Sequence, residues 1–108
     1  MAWDEGLAQT LRDDLAGEPI REQKMFGGLC LLRDGNMLCG VYSEGAIFRV
    51  GKANMAAALA VPGTGPMRFT SRPMGGIVVL SAENAADDAR RGALMTLAMT
   101  FVKSLPPK

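Results

Sequence analysis

A chain of 108 residues, 48% of them hydrophobic, has the size of one domain and is too apolar for a disordered segment. Its 12 basic and 11 acidic residues leave a net charge of +1, so no broad field for phosphates exists and direct nucleic-acid binding by this domain alone is not expected. Histidine is absent, which removes the usual general base and the commonest metal ligand.

The N-terminal Met1-Ala2-Trp3-Asp4-Glu5 is acidic where a secretory signal is basic, and no apolar run is long enough to cross a bilayer. The expected compartment is the cytoplasm, with Cys30 and Cys39 as reduced thiols and no membrane contact. Asp4 to Ala16 reads as an amphipathic helix: Leu7, Leu11 and Leu15 recur every four residues and Ala8 widens the stripe. Asp4 is the expected N-cap, Gly17 suits the C′ position, and Pro19 forbids continuation.

A three-strand meander over Lys24 to Gly51 follows, with turn signals at Asp34-Gly35 and Glu44-Gly45. With Asp34 and Gly35 as turn residues, Arg33 pairs with Asn36, Leu32 with Met37, Leu31 with Leu38, and Cys30 with Cys39. A two-residue turn at Glu44-Gly45 sets Val41 beside Phe48 and Cys39 beside Val50. One face then carries Cys30, Leu32, Met37, Cys39, Val41, Phe48 and Val50, the expected core face. The other carries Leu29, Leu31, Leu38, Gly40, Tyr42 and Ile47, with Arg33 and Arg49 among them; it is too apolar to be left wholly in water, so either helices cover part of it or another subunit does.

Lys52 to Ala60 reads as a short helix stopped by Pro62-Gly63, and Gly63-Thr64-Gly65 as a loop. Pro66 to Thr70 reads as a brief edge strand, and Ile77 to Leu80 as a buried one. From about Asn84 a helix carries Leu94, Leu97, Ala98, Phe101, Val102 and Leu105 at core spacing, and Pro106-Pro107 ends it. The order α-β-β-β-α-β-β-α implies an α+β fold over residues 1–108, a two-layer sandwich of antiparallel sheet with helices mainly on one face.

Lys24-Met25-Phe26-Gly27-Gly28, Gly35-Asn36-Met37, Gly40-Val41, Arg49-Val50-Gly51, Pro66-Met67, Phe69-Thr70, Arg72-Pro73-Met74 and Leu105-Pro106-Pro107-Lys108 together resemble the N-terminal domain of the TfoX/Sxy proteins. Ser71 stands where that family commonly has glycine. The resemblance implies a fold like that of secretion chaperones. It also implies kinship with bacterial regulators of natural competence, which act as coactivators beside a DNA-bound cyclic-AMP receptor protein and usually carry a second, C-terminal domain. It brings no catalytic residues with it.

The residues themselves offer three candidate sites. Cys30 and Cys39, opposed in the register above, are either two core thiols or a redox pair; two thiolates with no further soft ligand do not complete a zinc site. Arg49, Arg68 and Arg72 are candidate contacts for a partner or an anion, Arg49 reaching over the bare backbone of Gly40; the plainer reading pairs them with Glu22, Glu44 or helix carboxylates. Leu29, Leu31, Leu38, Tyr42 and Ile47 form a candidate self-association face, with Met95 and Met99 broadening the last helix into an interface. The carboxylates Asp4, Asp13, Asp14, Asp87 and Asp88 fall at helix starts or on polar faces and suggest no acid–base pair. The expected protein is a regulatory interaction domain without catalytic, metal or cofactor site, acting on a protein partner or a second copy of itself. The alternative is a sensor of an anionic small molecule, with a pocket between sheet and helices and Arg49 or Arg72 as its ligand.

Overall fold

Asp34 and Gly35 take φ angles of 53° and 80°, both positive as a type I′ turn requires, and the predicted hairpin forms at this point. The computed structural model describes residues 3–25, 27–69 and 72–107, with the side chains of residues 68, 69 and 72–74 outside the description. In chain order the elements are α1 (Glu5–Asp14), β1 (Ile20–Met25), β2 (Gly28–Arg33), β3 (Asn36–Tyr42), β4 (Gly45–Arg49), a 3-10 turn (Lys52–Asn54) leading into α2 (Met55–Leu59), β5 (Thr64–Phe69), β6 (Arg72–Ser81) and α3 (Asp88–Lys103). The strands form one antiparallel sheet in the order β1-β2-β3-β4-β6-β5, so the fold is α+β as the pattern implies. The expected order is present, with β1 added at the sheet edge.

The helices start where carboxylates can cap them. Asp4 accepts from the backbone N–H groups of Gly6 and Leu7, and Asp87 accepts from those of Ala89 and Arg90. The last helix therefore begins at Asp88 rather than near Asn84, whose side chain instead donates to the Ser81 hydroxyl in the preceding turn. α1 is tied to β1 by Arg12, which donates to Glu22 and Glu5, each at 2.7 Å.

The pairing of β2 with β3 departs from the expected register. Leu32 is opposite Met37, but a β-bulge then shifts the ladder so that Leu31 faces Cys39, Cys30 faces Gly40 and Leu29 faces Val41. The extra residue is Leu38. A one-residue slip moves every following side chain of one strand to the other face. Cys30 and Cys39 consequently belong to different cores, and the two expected faces exchange members. The second turn is also displaced: Tyr42 pairs with Gly45, which makes Ser43-Glu44 the loop, and Val41 faces Ala46 rather than Phe48. Gly45 is needed for another reason, since a Cβ there would lie 2.3 Å from the Leu80 carbonyl oxygen of β6.

The helix-covered side of the sheet packs Leu29, Leu31, Leu38, Cys39, Val41, Phe48, Val50, Val78 and Leu80 against Leu11, Leu15, Ala58, Leu94, Ala98 and Val102. The opposite side holds Cys30, Leu32, Met37, Tyr42, Ile47, Met67 and Ile77, all from strands. Gln23 and Met25 of β1 line the same cleft as Gly75 and Ile77, four places along the sheet in β6. In a flat sheet those strands would lie about 19 Å apart, so the sheet is curled with its strand-only side concave.

Candidate functional site

Arg49 closes β4 on the concave side, half-buried and opposite Ile77 of β6. It does not face Gly40, as the expected register had it: the Ser43-Glu44 loop slides β4 along β3 until Gly40 meets Ile47. A Cβ on Gly40 would come within 2.6 Å of the Leu29 carbonyl oxygen, so this glycine serves the close approach of β2. The Arg49 guanidinium carbon instead lies 5.5 Å from the centroid of the Phe101 ring, a cation–π contact with the last turns of α3. Phe101 rests on Gly51, where φ is +86° and an added Cβ would sit 2.5 Å from the ring. Gly51 therefore seats the ring and the ring seats the arginine.

Two clefts meet at Arg49. The larger, about 430 Å³, is lined by Gln23, Met25, Leu32, Gly35, Met37, Arg49, Gly75 and Ile77. The smaller, about 330 Å³, is lined by Arg49, Gly51, Lys52, Gly75, Gly76 and Phe101. Among the described residues neither lining contains a carboxylate. Among the described residues Arg49 makes no ion pair, whereas Arg12, Arg33, Arg90 and Arg91 all do. Glu22, one expected partner for it, is taken by Arg12. The backbones of Arg68 and Arg72 pair with Pro73 and Phe69 across the β5–β6 hairpin, but their side chains lie outside the described residues.

The candidate self-association residues share no surface. Leu29, Leu31 and Leu38 are sealed beneath the helices, and Tyr42 and Ile47 belong to the concave side; none is more than 9% exposed. The bulge is the reason, because it carries the first three to the helix side. The exposed apolar patch expected from the sequence does not form. The cysteines are free and buried on opposite sides of the sheet. Burial pushes the Cys30 thiol up to about 11 and Cys39 further still, so neither has thiolate character near neutral pH.

The sequence reading missed two buried polar groups. Arg91, 5% exposed, donates to Asp14 of α1, to Asp88 and to the Ala85 carbonyl oxygen, and the Asp14 bond raises its already high pKa. Asn36, 2% exposed, donates to the Pro106 carbonyl oxygen and fixes the C-terminal tail beside the Asp34-Gly35 turn. Beside Arg91 a groove of about 570 Å³ runs between the end of α1 and α3, with Met95 and Met99 among its lining. Among the described residues no group of three or more His, Cys, Asp or Glu could hold a metal, and no helix is long and apolar enough to cross a membrane.

The family model described as the TfoX N-terminal domain matches residues 13–101, from α1 through Phe101 and including every strand. The chain belongs to the TfoX N-terminal domain family. No match is found among curated proteins or among solved structures. Membership makes this a TfoX-like regulatory domain. The matched span contains Arg49, Gly51, Lys52 and Phe101, so the clefts around Arg49 lie within the family's own fold.

Proposed function

We propose that this TfoX-family domain is a non-catalytic, cytoplasmic regulatory module whose signal is an anionic small molecule bound beside Arg49. The observation that carries the reading is an arginine with no carboxylate partner among the described residues, lining a cleft in which four of the eight residues are apolar. An unpaired guanidinium in such a place keeps its donors free for a ligand, and its half-burial strengthens the attraction. The site differs from the pocket anticipated between sheet and helices, because that space is filled by side chains at most 8% exposed.

The absence of histidine and the two inert buried thiols support a binding role over catalysis. A protein partner is the second reading. The groove between α1 and α3, with Met95 and Met99 in its lining, favours it. The functional test is thermal unfolding of the wild type and of Arg49→Glu across a panel of organic anions. The reading expects at least one anion to raise the wild-type Tm and leave the variant unmoved. A panel that shifts neither protein, or both equally, removes it.

A further inference from the structure

The geometry points to an amphipathic carboxylic acid as the occupant of the larger cleft. Its carboxylate would be gripped by the Arg49 guanidinium, and its hydrocarbon body would lie over Met25, Leu32, Met37 and Ile77. This inference rests on the reading of the cleft as an effector site and adds the chemical class of the effector. Three features select that class.

Four of the eight lining residues are apolar, and among the described residues Gln23 is the only uncharged polar side chain there and Arg49 the only charged one. A nucleotide's base and sugar would find only Gln23 and Arg49 as polar side-chain partners there, whereas a hydrocarbon body has four apolar side chains to lie on. A planar carboxylate, in contrast, fits the two parallel N–H donors of one guanidinium. The Phe101 ring, 5.5 Å from the guanidinium carbon, accepts no conventional hydrogen bond and so consumes none of the N–H donors as a carboxylate would. A volume of about 430 Å³ lies at the small end of ligand cavities, suited to a chain or ring of modest size. Lys52 lines the adjoining cleft beside Gly75, which borders both clefts, and adds a second positive charge to the neighbourhood.

The test is an amide-resolved NMR titration of the protein with butanoate, hexanoate, octanoate, octanamide and octyl phosphate. The carboxylates are expected to shift the amides of Gly35, Met37, Gly75 and Ile77. Affinity is expected to rise by roughly twofold to fourfold per added methylene. Octanamide should bind at least about tenfold more weakly than octanoate, the loss expected for a charge-assisted bond. Arg49→Gln should abolish that preference while keeping the dispersed spectrum of a folded protein, and Arg49→Lys should keep part of it. Equal binding of octanoate and octanamide overturns the inference. Octyl phosphate binding at this cleft without octanoate binding also overturns it, while leaving an anion-effector site standing. No shift at these amides with any probe overturns the inference and the effector-site reading together.

Discussion

Arg91→Met isolates the polar link that joins both long helices above the sheet. The arginine side chain is 6% exposed and donates to three acceptors: Asp14 in α1, Asp88 in the first turn of α3, and the Ala85 carbonyl oxygen at 2.8 Å. Removing one member of a fully buried ion pair costs about 3–5 kcal/mol, because the remaining charge is stranded. Here the carboxylates are not stranded. Asp14 is 29% exposed and Asp88 92% exposed, so water replaces the guanidinium at both. The Ala85 carbonyl is the acceptor left without recourse, in a residue that is 0% exposed, and an unsatisfied buried acceptor costs about 1–3 kcal/mol. Methionine retains most of the packing of the arginine stem. The net expectation is a loss of about 2 kcal/mol, or roughly 8–16 °C in Tm for a domain of this size. Urea unfolding of wild type, Arg91→Met, Asp14→Asn and the double variant measures it, with Asp14→Asn expected to cost less and the double variant to resemble Arg91→Met alone. An Arg91→Met protein within about 0.5 kcal/mol of wild type would refute the assignment of Arg91 as the joint between the helices.

Two further outcomes follow from the bulge and from the α1–β1 link. Cys30 and Cys39 lie on opposite sides of the sheet, so peroxide treatment of the folded protein should leave both thiols countable after unfolding; an internal disulfide formed in the native state would contradict the register. The Arg12 guanidinium holds the Glu22 and Glu5 carboxyls below their ordinary value of 4.5. A lowered folded-state pKa gives stability that is present above the unfolded-state value and lost as pH falls through the folded one. The Tm difference between wild type and Arg12→Gln should therefore shrink as pH falls from about 5 toward 3. A difference that stays constant over that interval would show that the link does not act through these carboxylates.

The parts of this fold that were readable in the sequence are those set by local chemistry. Asp34-Gly35 declared its turn because few pairs accept two positive φ angles, and Asp4 declared its cap. Register depends instead on contrast between neighbours. Met37-Leu38-Cys39 is apolar at every position, so nothing in its pattern marks Leu38 as the extra residue. β1 was hidden for the opposite reason: Arg21-Glu22-Gln23-Lys24 is polar on both faces, as suits an edge strand that must not recruit another chain. Arg91 stands at core spacing with Leu94, Ala98 and Val102, and only the position of Asp14 in three dimensions reveals how a charge is tolerated there. Arg49 was readable as a candidate cation, but its neighbours were not, since they follow from where the second loop falls.

A sheet covered by helices on one side only must protect its other side by shape. The curl of this sheet buries Cys30, Ile47 and Met67 completely without any helix above them. Arg49 stands at the end of β4, where the contact with β6 continues as the Val50 and Gly51 N–H groups donate to the Gly76 carbonyl oxygen. A half-buried guanidinium gives up part of its hydration, and among the described residues no carboxylate in either lining compensates it. The Phe101 ring recovers some of that loss by a contact worth about 0.5–2 kcal/mol, depending on how dry it is. Gly51 makes the contact available, because any side chain there would displace the ring. The same three residues join the end of β4 to the last turns of α3 by direct contact.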